Sequence, residues 1–319
     1  NHAFMKSLLF LGTGAVLHAT GERNLGRLGG LIHRMPWVAW LTLVGALAIA
    51  GLPPLNGFVS EWLLLQAFLF AHEVPHPFVN MLLPLGASIV ALAAALAAYV
   101  MVKFYGVVFL GQPREPSLAK AHDAGPLEKA GLAWLAAGCV LLGLLPGQVV
   151  GGLGYVTQQL TGHAVATAQG WSWLLAPLPD REVSYAPLVL LLVIAAVVAI
   201  TFLAVRLAYR RVVRRAPPWD CGFVRVDARM QDTAEGFGQP IRHIFQSFFQ
   251  MKRELPSPFD ATPRYQVTIG DRIWLALYEP LGGIVQRLAD SVAWLQQGRI
   301  STYLLYSFVT LVLLLAVVL

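Results

Sequence analysis

Between Pro187 and Val205 the chain runs for nineteen residues without one charged side chain. A helix of that length rises about 28 Å, close to the roughly 30 Å hydrocarbon core of a bilayer. Comparable runs lie at 2–19, 36–52 continuing through 56–71, 80–110, 126–146, 185–208 and 301–319, and they predict an all-α, multi-span integral membrane protein. Composition agrees: 57% of the 319 residues are hydrophobic and 13% charged. Soluble domains carry about 25% charged residues, so a water-soluble enzyme is excluded. The chain opens on Asn1 inside a helical pattern, without the charged start or cleavage site of a signal peptide, as expected for part of a longer protein.

The net charge of +6 raises the question of nucleic acid, and the placement of the cations answers it. With spans alternating sides, the loops at 20–35 and 111–129 and the segment from Arg210 to Arg299 hold nineteen of the 23 Lys and Arg. The opposite side holds only Arg181. This bias marks a cytoplasmic face, puts the loop at 20–35 inside the cell and leaves no role for nucleic acid.

The chain divides into three segments. Residues 1–208 form the main membrane bundle. In 209–300, Arg210, Arg211, Arg214 and Arg215 close a span, and Pro217, Pro218, Pro240, Pro256, Pro258 and Pro263 punctuate a segment expected to lie along the membrane surface, not a second folded domain. Over 270–298, Ile273, Trp274, Leu277, Leu281, Ile284, Val285, Leu288, Val292 and Leu295 make one apolar stripe. That spacing predicts an amphipathic helix, interfacial or packed on a partner. Residues 301–319 form a terminal anchor.

Chemistry is sought first where ionisable groups fall inside spans, because a charge there costs about 2.5–3.5 kcal/mol even on translocon scales. Pro53 and Pro54 remove two backbone donors, and Asn56-Gly57 favours a turn, so one span should break in mid-membrane and be buried there. Glu61 then falls in the first turn of the second half-helix, as a proton or cation site or as a structural cap. Lys6 shares a helix face with His2, four residues earlier. It is either a proton carrier or a static lysine paired to a carboxylate. His18, about 120° around the helix from Lys6, reads equally as a relay or as an interfacial hydrogen-bonding residue. Lys103, with Tyr99 and Tyr105 nearby, either transfers protons or snorkels to the surface, and Arg206 reads as a snorkelling anchor.

Soluble-enzyme signals fail. Gly151-Gly152-Leu153-Gly154 lacks the third glycine and the strand of a dinucleotide loop. His76, His122 and His163 have no Cys or His at metal-ligand spacing, and Cys139 and Cys221 match neither a disulfide framework nor a metal pair. No cofactor or metal is expected in this chain.

The stretch from Asn1-His2-Ala3-Phe4-Met5-Lys6 through Gly12, then His18-Ala19-Thr20-Gly21, Gly29-Gly30-Leu31 and Leu52-Pro53-Pro54-Leu55-Asn56-Gly57-Phe58-Val59-Ser60-Glu61-Trp62, resembles the proton-translocating antiporter-like subunits of respiratory complex I and membrane-bound hydrogenases. Trp219-Asp220-Cys221-Gly222, Arg229-Met230-Gln231-Asp232-Thr233-Ala234 and Tyr303-Leu304-Leu305-Tyr306 look like the hydrogenase-4 and formate hydrogenlyase type. Glu235 and Gly236 depart from that pattern, where relatives more often carry small polar residues.

The resemblance implies the C-terminal part of an antiporter-like bundle of inverted five-helix repeats in a bacterial or archaeal cell membrane. It implies Lys6 as the central-axis lysine, Glu61 as the broken-helix charge, His2 as a relay and His18 as a weaker one, with 270–298 as a lateral helix. The implied function is proton translocation driven by electron transfer in partners: other membrane subunits and, through them, iron–sulfur and hydrogenase-like or dehydrogenase-like subunits. Redox chemistry would belong to those partners. A multi-subunit sodium/proton antiporter shares the core motifs and is the alternative, and a scaffold that no longer transports is the third reading.

Overall fold

A computed structural model describes residues 1–70, 75–162, 185–209, 216, 219–222, 226–228, 230–296 and 298–318. Arg181, the cluster from Arg210 to Arg215, Pro217, Pro218, Arg229 and His163 lie outside the described residues, as do Ala71 and Leu319 at two span ends. The described helices are α1 (His2–Thr20), α2 (Pro36–Ile49), α3 (Asn56–Phe70), α4 (Pro77–Phe109), α5 (Pro126–Leu144), α6 (Pro146–Gly152), α7 (Gly154–Thr161), α8 (Pro187–Ala208), α9 (Ala234–Ile244), α10 (Glu279–Val292) and α11 (Ile300–Val318). Two strands, β1 (Phe249–Glu254) and β2 (Gln266–Asp271), lie between α9 and α10. Among the described residues five helices, α1, α4, α5, α8 and α11, are long and apolar enough to cross a bilayer.

The chain divides into two compact units, Asn1–Phe237 and Gly238–Leu319. In the first, α1, α2 and α5 pack against one another around Leu8, Met35, Val38, Ala39, Phe109 and Cys139, all nearly or fully out of solvent. Close approach depends on missing side chains. A Cβ on Gly143 of α5 would run into the backbone of Pro54, Leu55 and Asn56, so α5 lies directly against the break after α2. Small residues serve this purpose in membrane bundles, where dispersion and close backbone approach replace the hydrophobic drive.

The fourteen residues of α2 rise about 21 Å, too little to cross a bilayer alone. It therefore acts as a half-helix, with α3 continuing beyond the turn at Ala50–Leu55. Its N-cap position, Met35, offers no side-chain acceptor. Asp123 takes that role across 85 residues: Trp37 N–H donates to Asp123 Oδ2 at 3.1 Å and Val38 N–H to Oδ1 at 3.3 Å. Lys129 Nζ holds the same carboxylate at 3.4 Å. On this side of the bundle the loop after α1 meets the loop after α4, through Gly30 N–H to Leu110 O at 2.9 Å.

The break falls where Pro53 and Pro54 place it, but Asn56 and Gly57 do not form its turn. Both are buried in the first turn of α3. Gly51 makes the turn instead, with φ +66. The predicted span at 126–146 ends at Leu144, because Pro146 has no N–H to continue the ladder and opens α6. Gly151, Gly152 and Gly154 lie where α6 passes into α7.

The second unit departs from an all-helical expectation. β1 and β2 pair antiparallel, in register from Phe249 opposite Asp271 to Glu254 opposite Gln266. A folded hairpin thus occupies part of the segment expected to carry none. The amphipathic stretch starts at Arg272 rather than at 270, since Gly270 and Asp271 end β2. Asp271 Oδ1 caps the start of that stretch, accepting from Ile273 N–H at 2.9 Å and Trp274 N–H at 3.0 Å. A π-helical turn at Trp274–Tyr278 leads into α10, and Ile273, Leu277, Leu281, Ile284, Leu288 and Val292 stay exposed as the predicted stripe.

Candidate functional site

The site is built where α1 meets the break between α2 and α3. At Gly51, where φ is positive, a Cβ would overlap the carboxylate of Glu61. The acid therefore folds back onto the bare backbone of the turn. α3 begins at Asn56, where the span 56–71 is expected to begin, and Glu61 is its sixth residue, so the carboxylate lies beyond the first turn in which the sequence placed it. The helix-end dipole fades within one turn, so the electrostatic partner expected there is weaker than foreseen. What places the carboxylate is the room left by glycine.

The first turn of α3 is tied to the start of α1. Asn1 Nδ2 donates to Ser60 Oγ at 2.6 Å, and Asn56 Nδ2 donates to Asn1 O at 3.1 Å. Asn56 is fully buried, and its Oδ1 has no partner among the described residues. A buried amide oxygen of this kind is a natural acceptor for an internal water. Thr42 Oγ1 on α2 is likewise buried without a partner among the described residues.

His2 and Lys6 project from α1 one turn apart, both exposed on the described surface. Lys6 Nζ lies over the ring of Phe10, 5.9 Å from its centroid. It lines a groove of about 200 Å³ between α1 and α4, walled by Leu9, Phe10, Thr13, Met101 and Phe104. A second hollow of about 350 Å³ shares Phe10, Thr13 and Phe104 and ends at Glu22 and Arg23. Together they run from Lys6 to the loop after α1. At that end Glu22 is held below the usual carboxylate range by the N–H groups of Asn24 and Arg23, at 2.8 and 2.9 Å, with Arg27 adding charge at 3.5 Å.

The other predicted residues stand apart from this centre. His18, exposed at the end of α1, approaches Glu128 with Nδ1 3.8 Å from Oε1, and its ring meets that of His122 edge-on at 6.4 Å. Lys103 is half-buried on α4 and opens not into the Lys6 groove but into a separate cavity of about 270 Å³. Arg206 sits near the end of α8 with its guanidinium 5.9 Å from the Phe202 ring. Among the described residues no cluster of three or more His, Cys, Asp or Glu is placed to hold a metal ion.

Sequence reasoning missed Gly51, Asn56 and Ser60. A glycine immediately before Leu-Pro-Pro was the available signal for Gly51; the ties to Asn1 cross more than fifty residues and leave no local trace.

Comparison with known proteins bears on this arrangement. The chain is 31% identical over 329 aligned positions to hydrogenase-4 component B of Escherichia coli K12, covering 99% of this chain and 48% of that protein. It is 34% identical over 278 positions to formate hydrogenlyase subunit 3 of the same organism, covering 83% of this chain and 41% of that protein. The chain thus spans about half the length of the curated relatives it matches. Its fold is similar to a chain of the membrane-bound sulfane sulfur reductase, an archaeal respiratory membrane complex, with a TM-score of 0.62 at 23% identity, covering 99% of this chain and 46% of that one. Residues 1–105, which contain α1 through most of α4 and every residue of the broken-helix site, match the transmembrane family described as NADH:quinone oxidoreductase/Mrp antiporter.

Proposed function

We propose that this chain forms an ion-translocating half of an antiporter-like membrane subunit, and that the ion is the proton. Electron transfer in iron–sulfur and hydrogenase-like or dehydrogenase-like partners would supply the energy. The observation that carries the reading is the Glu61 carboxylate seated on the Gly51 turn of a broken helix, with Asn1 at the start of α1 bonded to Asn56 and Ser60 of the same half-helix. A carboxylate and an amine at membrane depth exchange protons by changing which charges are compensated, and each change alters the energy of the other's ionised form. Broken helices supply the polar backbone that water needs in order to reach them. In this reading His2 passes protons to Lys6, and the groove from Lys6 to Glu22 is the route toward the loop side, where His18 stands beside Glu128.

Glu61→Gln is expected to abolish redox-driven proton uptake in inverted membrane vesicles while the complex still assembles. Uptake at the wild-type rate would remove Glu61 from the mechanism. A second reading, a cation/proton antiporter subunit, is favoured by the other half of the family's description. Mass spectrometry of what co-purifies from native membranes separates the two: iron–sulfur and hydrogenase-like subunits support the first, whereas a set of small antiporter subunits alone supports the second.

A further inference from the structure

α2 and α5 pack side by side and start from the same end of the bundle. At that end Lys129, in the first turn of α5, holds the Asp123 carboxylate that caps α2. The Trp37 ring of α2 lies 5.9 Å from Lys129 Nζ. From Lys129 to Gly143 α5 rises about 21 Å, which is also the rise of the fourteen residues of α2. Gly143 therefore arrives level with the break.

Three glycines of α5 meet different surroundings. A Cβ on Gly143 would overlap Pro54 O and crowd Leu55 C and Asn56 N at 2.7 and 2.8 Å. Those neighbours are backbone, with no rotamer to change, so an added methyl would have to push the break away. Five residues earlier, a Cβ on Gly138 would overlap the ring of Phe4, two residues before Lys6 on α1. A ring can turn aside. A Cβ on Gly131 would meet nothing within 4 Å.

One helix thus touches both halves of the site: the start of α1 at Phe4 and the break at Pro54 to Asn56. The Gly51 turn that seats the Glu61 carboxylate lies three residues before Pro54, and Asn56 is bonded to Asn1. A push on the break is not relieved by sliding α2, because the far end of α2 is fastened beside the start of the same α5 through Asp123 and Lys129. The displacement goes into the turn and so into the seat of Glu61.

We propose that α5 is a brace that sets the spacing of the broken-helix site, with Gly143 and Gly138 as positioning residues. Gly143 fixes where the turn offers its seat to Glu61, and Gly138 fixes the start of α1 relative to it. The proposal rests on the proton reading above for its effect on uptake, and its geometry can be tested without that reading.

The test uses the full-length subunit in its assembled complex in native membranes. Carboxyl groups are modified with dicyclohexylcarbodiimide, and the rate at Glu61 is read by mass spectrometry. Gly143→Ala is expected to change that rate several-fold, Gly138→Ala to change it less, and Gly131→Ala to leave it at the wild-type value. A wild-type rate in Gly143→Ala, a larger effect at Gly138 than at Gly143, or an equal change in all three overturns the brace. If Gly143→Ala does not assemble, Gly138→Ala decides: a rate there equal to that of Gly131→Ala overturns the proposal. Proton uptake per assembled complex is then expected to fall about tenfold in Gly143→Ala, as a small misplacement of a reacting group can cause, with an altered pH profile. Uptake that falls only in proportion to lost assembly makes Gly143 a packing residue and overturns its positioning role. If Glu61→Gln pumps normally, the proton reading fails while the labelling still decides the brace.

Discussion

Gly51 shows how one missing side chain sets the chemistry of a site. Its positive φ favours glycine by roughly 1 kcal/mol over alanine, and the space its Cβ would take is filled by the Glu61 carboxylate. Gly51→Ala is therefore expected to displace Glu61 and lower proton uptake in assembled complexes. Gly14→Ala, at a site on α1 with open space around it, is expected to leave uptake unchanged. Uptake unaffected by Gly51→Ala would separate the turn from the site. Glu22 carries a pH signature of a different kind. Its folded-state pKa is lowered, so its tie to the Arg23 and Asn24 amides holds above the ordinary carboxylate value near 4.5 and is lost as pH falls through the lower folded one. Hydrogen exchange at those two amides should be faster in Glu22→Gln than in the wild type at neutral pH, and the two proteins should converge below the carboxylate range. That Glu61, Lys6 and Lys103 lie on apolar helices was legible in the sequence, because a charge inside an apolar run is conspicuous. Where each points was not, because that depends on glycines and loops supplied from elsewhere in the chain.

At the scale of elements, the two prolines announced the break after α2, and the exposed stripe of α10 followed from its spacing. α3 starts at Asn56, where the span 56–71 is expected to begin, against the preference of Asn-Gly for a turn. Asn-Gly favours a turn in isolation, but here the buried Asn56 amide bonds to Asn1 and the pair is drawn into the helix. β1 and β2 were missed because their alternation is weak and both are largely exposed, so little hydrophobic patterning marks them. α2 depends on a cap no local pattern reveals. Asp123→Ala removes the acceptor for Trp37 and Val38 and is expected to cost about 1 kcal/mol, as loss of an N-cap usually does. A lowered thermal midpoint of the detergent-solubilised complex would register that cost. An unchanged midpoint would show that α2 is held by its packing alone.

On the scale of the whole molecule, buried surface is unevenly shared. The core collects α1, α2, α5 and the end of α4, while α8 and α11 are exposed along almost their entire length. Apolar helices covered so little by the described residues present large apolar faces of the kind that suits lipid. The long reach of Asp123 bears on how such a protein is made. α2 receives its cap from a residue 85 positions later and the packing of its break from Gly143 later still. At 5–20 residues per second the ribosome needs roughly 4–17 s to cover that distance. For that interval α2 is without its cap and its break without the close packing of Gly143, and both arrive together with Asp123 and α5.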